Sequence, residues 1–371
     1  MSKKISKVVI KVGSSSISDE YGINEDKIKK IVDQISELNK RAKEVVIVSS
    51  GAVAAGMGEL NFPKKPHSLI EKQACSAVGQ GILISIYRKL FNQKGIKIAQ
   101  ILLNSEDFAH RDRYLNAYNT MYKLLEYGLV PIVNENDTVT TDEIKFGDND
   151  ILSAQVASLL EADLLIILSD IPGLLKNIND LNSTIKLVES ITPEIEALAN
   201  GKSASNVGTG GMSSKLKAAK ISLSAGIPLV IVPSYEKDVI LRTLESMENK
   251  EYTIGTTFLA KTKKLSKRKR WIYFSLKPKG ELVVDEGAQD ALLKGKSLLA
   301  VGIKEVSGEF SVGDLVNIVS QDITIIGKGL VNYSSEELKK FMGKKSTDIL
   351  AKKNSQGPEE VIHRDNMVIV K

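Results

Sequence analysis

Apolar runs recur through the first two thirds of the chain, and each stops at glycine, hydroxyl, amide or carboxylate residues. Val8-Val-Ile10 leads through Lys11 and Val12 to Gly13, and Val45-Val-Ile-Val48 leads to Ser49, Ser50 and Gly51. Val130-Pro-Ile-Val133 runs into Asn134, Glu135, Asn136 and Asp137, and Leu164-Leu-Ile-Ile-Leu168 into Ser169 and Asp170. A short, continuously apolar run bounded by such residues is the pattern of a strand buried on both faces. Polar groups gathered where parallel strands stop lie at the edge where open α/β sheets take ligands. Helical periodicity separates the runs: Ile28, Ile31, Val32, Ile35 and Leu38 form one face of residues 24–42, and residues 73–91 and 116–127 read as further helices. The resulting order βαβαβαβ predicts an α/β fold, a mostly parallel open sheet sandwiched by helices.

With 371 residues, 42% of them hydrophobic, the chain is long enough for two cores. Residues 1–260 carry 30 Lys and Arg against 31 Asp and Glu, whereas residues 261–371 carry 21 against 14, so the positive excess lies wholly in the last third. A boundary is expected at the basic stretch 261–270, giving a first domain at 1–260, a basic linker at 261–275 and a second domain at 276–371. Short alternating segments at 271–276, 281–285, 298–301, 315–319, 324–326 and 366–370 predict a small β-barrel there. Its basic character points to an anionic partner, with nucleic acid as one reading and plain solubility as the other. There is no signal-type start and no run of about twenty uncharged apolar residues, so a cytoplasmic protein without a membrane partner is expected. The single cysteine, Cys75, cannot form an internal disulfide.

The polar ends of the strands are the candidate sites. A second cluster, Gly147-Asp-Asn-Asp150, stands before a helical pattern and opens that helix, so two groups of carboxylates and amides face one cleft. Lys11 reads equally as a ligand of an anion or as an ordinary lysine near the end of a buried strand. Ser50 and Gly51 read as a helix N-terminus that can hold an anion, or as a tight βα turn needing glycine. Asp170 can serve a nucleotide base, a ribose or a turn. Gly208-Thr-Gly-Gly-Met-Ser-Ser-Lys215 feeds straight into a helix and makes a cradle of N–H donors for phosphate. It lacks the P-loop spacing, and the turn at Gly13 lacks the dinucleotide-binding spacing.

Two lysines on glycine loops, a helix N-terminus and an acidic-amide cleft suit phosphoryl transfer from a nucleotide, which needs positioning and charge neutralisation but no covalent nucleophile. Asp150 is best placed to orient the lysines, and Mg²⁺ would bridge the nucleotide phosphates. None of the histidines, His67, His110 and His363, is suited to general-base work. A carboxylate acceptor, already ionised at pH 7, needs no base.

Lys11-Val-Gly-Ser, Val48-Ser-Ser-Gly-Ala-Val-Ala-Ala-Gly56, Asn134-Glu-Asn-Asp137, Gly147-Asp-Asn-Asp150 and the glycine loop ending at Lys215 closely resemble the motifs of the glutamate 5-kinase family, which has the amino-acid kinase fold. Arg268-Lys-Arg-Trp-Ile, Val284-Asp-Glu-Gly-Ala288 and His363-Arg-Asp-Asn-Met-Val368 resemble markers of the PUA domain that members of this family carry at the C-terminus. The resemblance covers essentially the whole chain. It implies ATP-dependent phosphorylation of L-glutamate to L-glutamate 5-phosphate with Mg²⁺, the first step of proline biosynthesis, with feedback inhibition by proline.

It also implies roles for individual residues. Lys11, Lys215 and Asp150 are the catalytic group; Ser50, Gly51, Asn134, Asp137, Asp148 and Asn149 hold glutamate. Lys11, Gly13, Ser169, Asp170, Thr209, Gly210, Gly211, Met212, Ser213, Ser214 and Lys215 line the ATP site, with Ser169 where relatives commonly have threonine. Direct metal ligands are unassigned. A homo-oligomer is implied, and the next enzyme of proline synthesis is a further partner to consider. The alternatives are a kinase of the same fold acting on another small acid, against which the pair of acidic-amide clusters argues, and an RNA-binding role for the PUA domain, which the scarcity of aromatic residues disfavours.

Overall fold

The computed structural model describes residues 4–19, 22–62, 64, 66–139, 149–200, 211–260, 268–269, 271–272, 278–344 and 358–369. It divides into two compact units, one of Met1–Asp107 with Arg111–Lys264 and one of Phe108–His110 with Leu265–Lys371.

The first unit is built on strands β1 (Lys7–Val12), β4 (Glu44–Ser49), β5 (Ile98–Leu103), β6 (Val130–Glu135), β7 (Leu164–Ser169), β8 (Leu187–Val188), β9 (Leu229–Pro233) and β10 (Thr256–Phe258), with a small hairpin of β2 (Ser18–Asp19) and β3 (Gly22–Ile23). The eight form one sheet in the order β5-β6-β4-β1-β7-β9-β10-β8. The pairs from β5 through to β9 are parallel, and β10 turns antiparallel against β9. β1 is therefore central, with β4 on one side and β7 on the other, and the direction of winding reverses there. The carboxyl ends of the strands at such a reversal open a crevice. β6 and β7 are buried along their whole lengths, as their unbroken apolar runs require.

Helices α1 (Glu25–Lys40), α2 (Ala52–Glu59) and α3 (Leu69–Asn92) belong to this unit, α4 (Ser105–Ala109) follows β5 in the chain, and α5 (Arg111–Glu126), α6 (Asn149–Leu160), α7 (Pro193–Asn200), α8 (Met212–Ser224) and α9 (Val239–Asn249) complete the described helices of the first unit. α1 starts where the Asn24 side chain accepts the Lys27 N–H at 3.1 Å. α3 begins four residues before the expected 73–91, because Ser68 and Glu71 form a capping box that apolar periodicity does not register. α6 is buried almost throughout, so its first turn is delivered to the interior. Among the described residues no helix is long and apolar enough to cross a membrane.

α2 and α3 approach until their backbones touch. A Cβ on Gly56 would lie 1.8 Å from the Cys75 carbonyl oxygen, and one on Gly79 would lie 1.8 Å from that of Ala52. Small residues in both helices are thus a steric condition of this contact.

The second unit is a five-stranded sheet in the order β12-β11-β13-β14-β15, from β11 (Gly280–Val284), β12 (Ile303–Gly308), β13 (Leu315–Val319), β14 (Ile325–Leu330) and β15 (Met367–Ile369). Leu282, Val316, Ile318 and Leu338 are at its core. Two expected strands differ. Trp271 and Ile272 are helical, in a stretch whose basic residues are good helix formers. Leu298 makes one isolated bridge to Ile362 before a 3₁₀ turn at Ala300–Gly302. β12 was not among the expected segments, because its apolar residues are too sparse to read as a run.

Gly79→Ala should lower stability by at least about 1–3 kcal/mol, the usual cost of overpacking, since the obstructing atom is backbone. Gly81→Ala, with open space around the new methyl, should leave stability unchanged or raise it by about 0.5–1 kcal/mol. Urea unfolding of both variants beside the parent chain measures the difference.

Candidate active site

Lys11 lies on the central strand, paired in register with Val48 of β4 and Ile167 of β7. Its ammonium group meets the first turn of α6, where Lys11 Nζ is 2.7 Å from Asp150 Oδ1. From the opposite side Lys215, in the first turn of α8, places its Nζ 3.2 Å from Asp150 Oδ2, and Ser214 Oγ donates to that oxygen at 3.1 Å. All three charged residues are buried, Asp150 to 2% exposure. Burial is the strongest single influence on Asp150 and would raise its pKa. The two ammonium groups together outweigh it and hold the carboxyl below the usual carboxylate range. One carboxylate thus fixes two cations.

A second group lies where β4 and β6 end. Asn149 Nδ2 donates to Ser50 Oγ at 2.8 Å, to Asn134 Oδ1 at 3.0 Å and toward the Ser49 carbonyl at 3.3 Å. Asn134 Oδ1 also takes the Glu135 N–H at 2.9 Å. The side-chain Oδ1 of Asn149, a residue only 4% exposed, has no hydrogen-bond partner among the described residues. A buried acceptor left open in this way calls for a donor from a ligand or water. Gly51 has φ of 107° and caps α2 without a side-chain hydrogen bond, a conformation few other residues adopt. The first-turn N–H groups of α2 accordingly receive no capping side chain.

Asp137 opens the 3₁₀ turn Asp137–Val139 and is buried. Burial raises its pKa to about 6, against the opposing effect of a hydrogen bond donated by Ser76. Ser76 and Gln80, whose Nε2 donates to the Glu135 carbonyl at 3.2 Å, come from α3 and were missed in the sequence. So was Tyr87, whose hydroxyl is 3.0 Å from Ser49 Oγ and whose pKa burial pushes up to about 12. The only sequence signal for Ser76 and Gln80 is their i, i+4 spacing in a small-residue helix.

Beside Lys11, Gly13 precedes the 3₁₀ turn Ser14–Ser16, and a Cβ there would stand 3.4 Å from Lys11 Nζ. Ser169 is buried and donates to Asp170 Oδ1 at 3.3 Å, with Asp170 exposed at the end of β7. Gly211 is the N-cap of α8, and Met212 and Ser213 enter its first turn. Asp148, Thr209 and Gly210 lie outside the described residues. A cavity of about 770 Å³ between α1 and α9 touches Ser16, Lys27, Gln34 and Asp238, and among the described residues Asp170 is the expected site residue on its wall.

The sequence profile of the Amino acid kinase family matches residues 6–233, and that of the PUA domain matches residues 280–352. A glutamate 5-kinase from Thermoanaerobacter sp. (strain X514) is 47% identical over 369 residues, covering 98% of each chain. One from Carboxydothermus hydrogenoformans is 46% identical over 374 residues, covering 99% of this chain and 98% of that protein. Among solved structures, a carbamate kinase from Giardia lamblia bound to AMP-PNP shares 16% identity at a TM-score of 0.47, covering 70% of this chain and 100% of that one.

Asp150→Asn should destabilise the fold by about 3–5 kcal/mol at neutral pH, because two buried ammonium groups lose their counter-charge. A carboxyl whose folded pKa is depressed contributes stability above its unfolded pKa, and loses it as pH falls through the lower folded value. The gap between parent and variant in urea unfolding should accordingly close as the solution is taken below the ordinary carboxylate range.

Proposed function

The chain belongs to the glutamate 5-kinase family of amino acid kinases and is a kinase; on that premise we propose that it transfers the γ-phosphoryl group of ATP to the side-chain carboxylate of L-glutamate, opening proline biosynthesis. The observation that carries the reading is the buried triad Lys11, Asp150, Lys215, joined at 2.7 and 3.2 Å. In the reaction one oxygen of the glutamate γ-carboxylate forms a bond to the γ-phosphorus as the bond to the β-phosphate oxygen breaks, and ADP leaves. No proton has to move, which agrees with a site built from lysines rather than a histidine base. Negative charge grows on the transferred group and the leaving phosphate, and Lys11 and Lys215 stabilise it because Asp150 holds both in place beforehand. The N–H groups of the loop through Gly211 and the start of α8 hold the phosphates, with Ser169 and Asp170 beside the nucleoside.

Among the described residues no three His, Cys, Asp or Glu side chains gather as a metal cage. Mg²⁺ would come with the nucleotide and neutralise charge on its phosphates. The open side-chain Oδ1 of Asn149 and the carboxylate of Asp137 supply acceptors for the substrate's ammonium group, with Asn134 beside Asn149; the family resemblance assigns Asp148 to the same task. Ser50, Gly51 and the start of α2 supply donors for its α-carboxylate. Proline carries the same two charged groups, so it would compete here as a feedback inhibitor. A cytoplasmic homo-oligomer, able to hand its product to the next enzyme of proline synthesis, completes the reading.

Hydroxylamine trapping tests it: with ATP and Mg²⁺, hydroxamate should form from L-glutamate and not from L-aspartate or N-acetylglutamate. Hydroxamate from another acid would overturn the substrate, and none from any would overturn the activity. Lys215→Ala should keep its fold and lose about 10²–10³ in kcat, the usual cost of one oxyanion donor. Because Asp137 must be ionised to take an ammonium group, kcat/KM for glutamate should rise as pH passes upward through about 6. Asp137→Ala should raise the KM for glutamate and erase that limb while sparing the KM for ATP.

A further inference from the structure

α3 contributes no residue that the family motifs of this chain contain, yet two of its side chains reach the turn after β6. Ser76 is wholly buried and donates its hydroxyl hydrogen to Asp137 Oδ2. Gln80, one helical turn further on and so on the same face, donates Nε2–H to the Glu135 carbonyl at 3.2 Å. We infer that Ser76 and Gln80 are positioning residues, a two-point clamp by which α3 holds residues 134–137 in the geometry that receives the amino-acid substrate. The inference rests on the glutamate site proposed above and assigns its specificity in part to a helix that lines it from behind.

The clamp has a rigid base. α3 is locked to α2 by backbone contact at Gly56 and Gly79, Gly79 being adjacent to Gln80, and its start is closed by the Ser68–Glu71 capping box. The turn has a separate tether, since the Asn136 N–H reaches the Leu103 carbonyl at 3.2 Å and Asn104 Oδ1 at 3.1 Å. Removing the Ser76 hydroxyl therefore leaves the turn's backbone held while freeing the Asp137 carboxylate to rotate. Among the described residues, burial and the Ser76 hydroxyl are the influences that act on Asp137, and no charged neighbour does. A lone donor on a buried carboxylate determines both where it points and how readily it ionises.

The test compares the parent chain with Ser76→Ala, Ser76→Cys and Gln80→Leu by glutamate kinetics across pH 5–9 and by calorimetric titration with L-glutamate. Ser76→Ala should raise the KM and Kd for glutamate about tenfold, the order expected for a hydrogen bond to a charged group. Its KM for ATP should stay within about twofold, and the acid limb of kcat/KM should move to higher pH. Ser76→Cys, keeping a weaker donor in nearly the same volume, should fall between, and Gln80→Leu should raise the glutamate KM without moving the limb. Folded variants with parental glutamate KM and parental acid limb would overturn the clamp. So would equal losses in kcat and both KM values with a lowered melting temperature, the mark of a merely structural role. Should Ser76→Ala fail to fold, Ser76→Cys and Gln80→Leu carry the test. If the parent chain binds L-glutamate without phosphorylating it, the proposed reaction fails while titration still decides the clamp.

Discussion

Two lysine ammonium groups share one carboxylate in the interior, and the kinase unit is arranged around keeping them there. A buried ion pair is costly to assemble, because each charge gives up its hydration, and it persists only where geometry and further hydrogen bonds compensate. Here the compensation comes from three elements. β1 carries Lys11, the buried N-terminus of α6 supplies Asp150, and α8 supplies both Lys215 and the Ser214 hydroxyl. An anion at the start of α6 is also favoured by the helix dipole. None of these groups stands alone: the carboxylate aligns the two lysines.

The two halves of the site differ in electrostatic character. Asp150 is held ionised by cations on both sides, whereas Asp137 is pushed up to about 6 by burial with only a hydroxyl opposing it. The first stays ionised into more acidic solution than an ordinary carboxylate, which suits it to fixing lysines. The second is poised, so an incoming ammonium group would draw it fully into its charged form. Carboxylates in one crevice are thereby given different tasks by their surroundings, without any difference in the side chain itself.

Much of this was legible in the sequence for a local reason. Apolar runs ending in polar groups mark buried strands because side-chain burial has a short period, and helices alternating with those strands imply a mostly parallel sheet. Asp150, Lys11 and Lys215 could be grouped by charge and by the motifs they sit in. Boundaries were less legible. The capping box at Ser68 moved the start of α3, and Trp271 and Ile272 turned out helical where alternation suggested a strand. Both errors came from reading hydrophobic pattern where capping and propensity prevailed.

What the sequence by itself determined was the class of fold, the kind of chemistry and the identity of the charged groups, since these depend on residue type and near neighbours. Only the tertiary structure decided that Ser76 meets Asp137 across 61 positions of chain, that Gln80 meets Glu135 across 55, and that the side-chain Oδ1 of Asn149 has no partner among the described residues. Those contacts depend on how closely α3 can lie against α2, a distance set by the absence of two Cβ atoms where the helices cross. Helix spacing of that kind is a property of packed surfaces, and no local period in the chain encodes it.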